Sequence, residues 1–150
     1  MLPPPLELFE MSSVNHVAGQ NVFHLEWCPK YRYECFRKEQ TIKDCAAAIR
    51  AAAERNGITV LYLAVMPDHV HAVVSLKPNM SVSFALMCLK GGSARSLFIS
   101  HPGFRKRYWG GHFWSRGSFS RSVGDADLPT IMRYVQEEND PRQSSLQSFL

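Results

Sequence analysis

The sequence predicts one α+β domain in which helices cover one face of an antiparallel sheet. Apolar residues alternate with a period of two in four segments and recur at helical spacing in three others. The segments follow one another as strand, helix, strand, strand, helix, strand, helix, which is the split β-α-β order of a ferredoxin-like domain. A chain of 150 residues has room for one core and little for a second.

The first predicted strand runs from Val22 to Cys28, where Pro29 ends the hydrogen-bonding ladder. His24 and Glu26 alternate with apolar residues, so we expect them on the face of the strand that points away from the helices. The inward-facing residues are Phe23, Leu25 and Trp27.

The first predicted helix runs from Thr41 to Asn56. Thr41-x-x-Asp44 has the spacing of a capping box, and Asn56-Gly57 is a typical helix end. The apolar positions at helical spacing are Ile42, Cys45, Ile49 and Ala53.

A pair of strands follows, with a tight turn at Pro67-Asp68 between Ile58 to Met66 and His69 to Leu76. In the second strand of the pair, His69 and His71 share the face opposite the continuous apolar set. Two imidazoles two residues apart on a strand project from one face and can share a divalent ion. For this pattern alone, two half-exposed histidines with ordinary hydrogen bonds remain the alternative. The two faces are Val70, Ala72, Val74 and Leu76, and His69, His71, Val73 and Ser75.

The C-terminal half contains a second helix from Ser81 to Phe98, which we expect Gly91-Gly92 to weaken or kink. A fourth strand is predicted from Gly117 to Gly124, and a last helix begins at Asp127 and ends before Asn139-Asp140-Pro141. We expect a single domain over residues 14–140, with a flexible tail at 1–13 and a polar tail at 141–150.

The composition is mildly basic, with 17 Lys and Arg against 13 Asp and Glu and a pI near 9.0, which permits an anionic partner such as nucleic acid. The four cysteines form no C-x-x-C pair, so we expect reduced thiols. We find no apolar run of the ~18 to 20 residues that spans a bilayer and no signal-peptide pattern at the N-terminus. These features predict a cytoplasmic protein with no membrane partner.

Four segments of the chain resemble the single-tyrosine HUH transposases of small insertion sequences, the TnpA type. One of them is the HUH segment itself, and the last is a tyrosine in the final predicted helix. They are Trp27-Cys28-Pro29-Lys30-Tyr31-Arg32, Met66-Pro67-Asp68-His69-Val70-His71, Phe113-Trp114-Ser115-Arg116-Gly117-Ser118-Phe119, and Tyr134. Together they span nearly the whole of the predicted domain.

The resemblance implies an enzyme that cuts and rejoins single-stranded DNA at hairpin-containing element ends, and that works as a homodimer. Tyr134, on a C-terminal helix, would be the catalytic nucleophile, and His69 and His71 would hold a divalent cation, Mg²⁺ or Mn²⁺. The family has a glutamine one turn after the tyrosine. This chain has Glu138 there instead, on the face of Tyr134, whereas Gln136 lies on the far side. Glu138 is therefore our third ligand, although a solvated charge at the helix end is the alternative.

Two segments mix cations with aromatic rings, as proteins that hold single strands do. The first is Lys30-Tyr31-Arg32-Tyr33 with Arg37 and Lys38, and the second is Arg105-Lys106-Arg107-Tyr108-Trp109. We expect DNA contacts from Lys30, Tyr31, Arg32, Lys90, Arg95, Arg105 and Arg107. A different class of function stays open because of the Glu138 departure: a catalytically inactive or domesticated module that binds hairpin DNA or RNA. A third reading is a metal-dependent nuclease that activates water.

Overall fold

The structure is a computed structural model that describes residues 21–124, 127–130 and 133. Among the described residues, bounds are defined for four strands, two long helices, one short helix and one 3-10 turn. They are β1 (Val22–Trp27), the 3-10 turn (Lys30–Arg32), α1 (Glu39–Arg55), β2 (Thr59–Val65), β3 (Val70–Ser75), α2 (Val82–Ser100), α3 (Phe104–Arg107) and β4 (Phe119–Val123). The predicted tails and most of the last predicted helix lie outside the described residues.

The four strands form one antiparallel sheet in the order β2-β3-β1-β4. The two central strands are thus the one that carries Glu26 and the one that carries His71, and these two residues are paired in register. Residues paired across antiparallel strands lie on the same face of the sheet. The register therefore places His24, Glu26 and His71 side by side.

The main core lies between the sheet and the two long helices. Leu25 and Ala72 on the central strands pack with Ile49 of α1 and Leu89 of α2, and all four side chains are fully buried. This agrees with the alternation read from the sequence, in which the odd-numbered residues of β1 point inward. The four cysteines are free thiols, as predicted.

The opposite face of the sheet is also buried along β1, β2 and β3, whereas β4 is exposed except at Val123. Tyr62 and Val73 form a second apolar cluster with Val22, Leu61, Ala64, Val123 and Leu128. Next to this cluster His24 is 5% exposed and His71 is 0% exposed. The interpretation of His69 and His71 as half-exposed histidines is therefore wrong, since His69 is only 6% exposed and His71 is fully buried.

The predicted capping box at the start of α1 is also wrong. The helix begins at Glu39, so the Thr41 hydroxyl is already inside the first turn and donates to the Lys38 carbonyl at 2.8 Å. Asp44 instead accepts hydrogen bonds from Gln40 and His101, at 2.9 and 2.7 Å. In α2, by contrast, the Ser81 hydroxyl accepts from the Phe84 amide at 3.1 Å, as a helix N-cap should.

The two glycines of α2 do not interrupt it, because the helix continues from Val82 to Ser100. A methyl group added at Gly92 would lie 2.8 Å from the Ala52 Cβ atom, whereas one added at Gly91 would meet nothing within 4 Å. Gly92 therefore permits the close approach of α1 and α2.

We expect opposite effects on stability from Gly91→Ala and Gly92→Ala. The first should raise the free energy of unfolding by about 0.5 to 1 kcal/mol, since alanine is the better helix former. The second should lower it by about 1 to 3 kcal/mol, because Ala52 must move. Denaturant unfolding of the two variants checks this, and equal effects of the two would contradict the close packing.

By length and mean hydropathy, α2 is the one helix in the described part of the chain that could cross a membrane, a possibility that the sequence analysis had discounted. Its Ala85, Leu89 and Leu97 are fully buried in the main core, and it packs along α1. We interpret it as a core helix, which meets the same criteria.

Candidate metal centre and cavity

The turn between β2 and β3 places the two histidines of the HUH segment at the start of the central strand β3. The Met66 amide donates to the His69 carbonyl at 2.8 Å and closes the turn, so that His69 precedes β3 and His71 is its second residue. The Nε2 atoms of the two rings are 3.1 Å apart, and the ring planes are nearly perpendicular, at 84°.

This spacing fits two ligands of one metal ion. Metal–nitrogen bonds of about 2.1 Å at a right angle place the two nitrogens about 3 Å apart. The rings are thus arranged so that both Nε2 atoms can face one ion between them.

The remaining ring nitrogens both contact carboxylates. His69 Nδ1 lies 2.7 Å from Asp68 Oδ1, and His71 Nδ1 lies 3.4 Å from Glu26 Oε1. His71 Nδ1 also lies 3.2 Å from His24 Nε2. A carboxylate at one imidazole nitrogen fixes the tautomer that leaves the other nitrogen free to bind a metal. The donor set therefore fits a cation at the Nε2 pair, held by His69 and His71 and oriented by Asp68 and Glu26.

A second grouping of potential ligands uses the other side of His71. Single donor atoms of His24, Glu26 and His71 lie within 4.8 Å of one another. His71 cannot serve both groupings unless it bridges two ions. We favour the Nε2 pair, because Glu26 and His24 both contact the Nδ1 atom of His71 and so orient its ring.

Burial keeps the inner imidazoles neutral, which is the form that binds metals. Burial, and after it the neighbouring rings of His69 and His24, lowers the pKa of His71 well below its usual value. Burial and the nearby Arg121 guanidinium lower the pKa of His24 to about 4. A hydrogen bond from His69 is the main cause that lowers the pKa of Asp68, which stays ionised.

These shifts predict acid sensitivity of the fold. The unfolded chain binds a proton at His24 below about pH 6.5, but the folded chain does so only near pH 4. The stabilisation is complete above the first value and is lost as the pH falls towards the second. In EDTA we expect the free energy of unfolding to fall by about 1 to 3 kcal/mol over this range. His71 acts with the same sign, while Glu26 and Arg121 face His24 from its own and the adjacent strand.

Unfolding by denaturant at several pH values measures this effect, and His24→Gln should flatten the profile. An equally steep profile in that variant would remove His24 from the explanation.

A cavity of about 780 Å³ opens beside the imidazoles. His24, Glu26 and His69 line its inner side, and Arg32 and Arg121 line it as well. Two guanidinium groups beside a candidate cation site suit an anionic group such as a phosphodiester. The rim includes Ser115, Gly117 and Ser118, which belong to the aromatic segment singled out in the sequence.

Comparison with known families decides the classification of the chain. The family model described as "Transposase IS200 like" matches residues 18–138.

The chain belongs to the IS200-like transposase family.

Relatives of known name agree with this assignment. The chain is 32% identical over 133 residues to the ISDra2 transposase TnpA of Deinococcus radiodurans, covering 87% of this chain and 93% of the relative. It is 29% identical over 126 residues to the transposase for insertion sequence element IS200 of Salmonella typhimurium, covering 84% and 82%. The resemblance inferred from the motifs is thereby confirmed.

Two solved structures share the fold. A crystal structure of a transposase from Deinococcus radiodurans superposes with a TM-score of 0.63 at 29% identity, covering 78% of this chain and 89% of that one. The structure of a REP-associated tyrosine transposase bound to a REP hairpin gives a TM-score of 0.55 at 11% identity, covering 78% and 63%. The second likeness concerns the fold alone.

The predicted site residues of this IS200-like transposase fall into two groups. His69 and His71 come together as expected, whereas Tyr134 and Glu138 lie outside the described residues and stay predictions. Asp68 and Arg121 were missed as site residues. The adjacency of Asp68 to His69 could have indicated the first, but the position of Arg121 depends on strand register.

Lys90, which we expected to contact DNA, has a structural partner instead. Its ammonium donates to the Ser115 carbonyl at 2.7 Å and to the Ser118 hydroxyl at 2.9 Å, with the Arg116 carbonyl at 3.4 Å. Burial lowers its pKa. Lys90 thus anchors the loop at the rim of the cavity, and a DNA contact of its own stays a prediction. Arg95 is exposed further along the same helix.

Proposed function

We propose that this member of the IS200-like transposases cleaves and rejoins single-stranded DNA through a covalent bond between Tyr134 and a 5′-phosphate. His69 and His71 hold a divalent cation, Mg²⁺ or Mn²⁺, and Glu138 completes its ligands. The observation that carries the proposal is the convergence of the two Nε2 atoms at 3.1 Å beside a cavity lined by arginines. Family membership gives this geometry its context.

The chemical step is a transesterification. The phenolic oxygen of Tyr134 attacks the scissile phosphorus, a new O–P bond forms, and the bond to the 3′-oxygen breaks. The tyrosine proton leaves, and the departing 3′-oxygen takes up a proton, so atoms and charge balance. A cation at the histidines would polarise the phosphate and offset its charge in the transition state. The reverse attack by a 3′-hydroxyl rejoins a strand and frees the tyrosine.

The side chains around the proposed site have separate roles. Asp68 and Glu26 hold the histidine rings in the ligating orientation. Arg32 and Arg121 line the cavity and favour an anionic group there. Burial of His71 keeps its ring neutral at physiological pH.

We also propose the type of fold, the substrate, the oligomeric state and the cellular location. The strand order β2-β3-β1-β4 supports a ferredoxin-like domain, to which we add a C-terminal helix carrying Tyr134 and a single domain over residues 14–140. We propose hairpin-containing single-stranded DNA as substrate, a homodimer as the working form, and the cytoplasm as its location. The proposed DNA contacts are Lys30, Tyr31, Arg32, Lys90, Arg95, Arg105 and Arg107.

The proposal is tested with purified protein, Mn²⁺ and labelled single-stranded oligonucleotides that tile the DNA around its own gene. A protein-DNA adduct that survives denaturation and disappears in EDTA supports the tyrosine mechanism. Cleavage without an adduct favours a nuclease that activates water. Binding with neither favours the inactive module that the Glu138 departure suggests.

A further inference from the structure

The turn that follows β1 has an unusual backbone. Tyr31 and Arg32 have φ angles of 63° and 53°, and they are the only residues other than glycine with positive φ in the described part of the chain. Such a conformation costs on the order of 1 kcal/mol for each residue, and it collects at functional sites. The turn is held by hydrogen bonds from the Lys30 amide to the Phe113 carbonyl at 2.9 Å and from the Arg32 amide to the Pro29 carbonyl at 2.8 Å.

The strained turn presents aromatic rings to solvent beside the cavity. Tyr31 is 60% exposed and Tyr33 is 37% exposed, and their ring centroids are 5.4 Å apart. Arg32, between them, lies 3.3 Å from Asp68, the partner of His69. The turn that carries the tyrosines is therefore linked to the candidate metal centre through Arg32 and Asp68.

The second basic segment of the sequence lies against the same rings. The Arg107 guanidinium is 5.2 Å from the centroid of Tyr33, and the buried ring of Tyr108 is 5.6 Å from it. Two segments more than seventy positions apart thus form one surface, which we call the tyrosine track and define as Tyr31, Tyr33 and Arg107.

A groove of about 620 Å³ shares Arg107 with the tyrosine track, and Glu34, which follows Tyr33 in the chain, also lines it. Arg37, Lys38 and Arg107 bring three cations to its lining, against one carboxylate from Glu34, which pairs with Arg37. His101 lines it as well. The groove thus has an excess of positive charge.

We propose that the tyrosine track and this groove bind the single-stranded flank of the DNA substrate, away from the scissile phosphate. Bases stack on Tyr31 and Tyr33, while Arg107, Arg37 and Lys38 contact the phosphates. The inference rests on the proposed function for the identity of the ligand. A duplex does not fit this role, because its bases are already stacked on one another and offer no free faces.

A purely structural role for Tyr33 is the competing explanation, since its ring also packs on Tyr108. The exposure of Tyr31 argues against it. Within the described residues its ring contacts are Tyr33 and the Lys30 ammonium, at 5.4 Å in each case. Because the ring of Tyr31 is exposed, it contributes little to the packing of the core.

The test measures binding of fluorescent single-stranded and duplex oligonucleotides by the full chain in EDTA, where no cleavage takes place. Tyr33→Leu and Tyr31→Leu should each weaken single-strand binding about 5- to 100-fold and leave duplex binding unchanged. Tyr33→Phe should bind as the wild type does. Phe84→Ala, which removes a ring 45% exposed on α2, is the matched control and should have no effect.

The charges are tested with Arg107→Gln against Arg55→Gln. Arg55 lies at the far end of the 17-residue helix α1, about 25 Å from its start at about 1.5 Å per residue. Arg107→Gln should weaken single-strand binding, and the number of counterions released on binding, measured from the salt dependence of the affinity, should fall by about one. Arg55→Gln should change neither quantity.

Three outcomes would overturn the inference: wild-type binding in Tyr31→Leu, equal losses in Tyr33→Phe and Tyr33→Leu, or equal effects of the two arginine changes. Tyr31→Leu keeps the test valid if Tyr33→Leu fails to fold. The DNA adduct assay with Mn²⁺ is carried out on the wild-type protein, so failure of the track and failure of the tyrosine mechanism are told apart.

Discussion

Replacement of Tyr134 by phenylalanine should abolish the covalent protein-DNA adduct. Phenylalanine keeps the ring but lacks the oxygen that attacks the phosphorus, so no ester bond can form. We expect strand cleavage to fall by at least about 1000-fold, as when other enzymes lose their nucleophile. Single-strand affinity in EDTA should stay near the wild-type value. Denaturing gels with labelled DNA and Mn²⁺ measure the adduct and the cleaved strand together.

Tyr33→Phe is the matched control for this experiment, because it removes the same hydroxyl from an exposed tyrosine of the tyrosine track. It should retain the adduct. Cleavage at the wild-type rate in Tyr134→Phe would eliminate the tyrosine mechanism and leave water as the nucleophile.

Replacement of His71 by alanine should abolish cation-dependent cleavage. The change removes one of the two Nε2 atoms that face each other at 3.1 Å, and it deprives Glu26 and His24 of the ring that they orient. We expect Mn²⁺ affinity to fall by more than about 10-fold and cleavage by more than about 100-fold, since loss of orienting groups alone costs about 10- to 100-fold. Single-strand affinity in EDTA should change little.

His112→Ala is the control, since His112 is exposed and outside the site. Because His71 is fully buried, its loss can also destabilise the fold. His69→Ala, at a residue that lines the cavity and belongs to neither apolar cluster, gives the same prediction for cation binding with less damage to the core. Full activity in both variants would remove the histidines from the reaction.

Local patterns were sufficient to predict most of the fold. The alternation in β1 and β3 assigned Leu25 and Ala72 to the core and His24 and His71 to the opposite face, and the structure agrees. The patterns failed where a contact with a distant part of the chain determines the local structure. Gly92 reads as a helix breaker until Ala52 of the neighbouring helix is known to lie against it.

The candidate site was predictable only in part for the same reason. His69 and His71 are two residues apart in the sequence, so their spacing alone predicted that the two rings lie together. Glu26 reaches His71 through the pairing of β1 with β3, and the number of residues between them does not reveal that register. The joining of Tyr33 with Arg107 is likewise a property of the folded chain.

The loop at the rim of the cavity is fastened to α2 at two points, and this bears on the thermodynamics of DNA binding. Lys90 donates to the loop at Ser115 and Ser118, and Ser93, one turn later, accepts from the indole of Trp114 at 2.9 Å. A segment that is ordered during folding has already lost its conformational entropy, so a ligand need not supply that free energy again. The rim should therefore behave as a rigid wall, with slow amide hydrogen exchange that changes little when DNA is added.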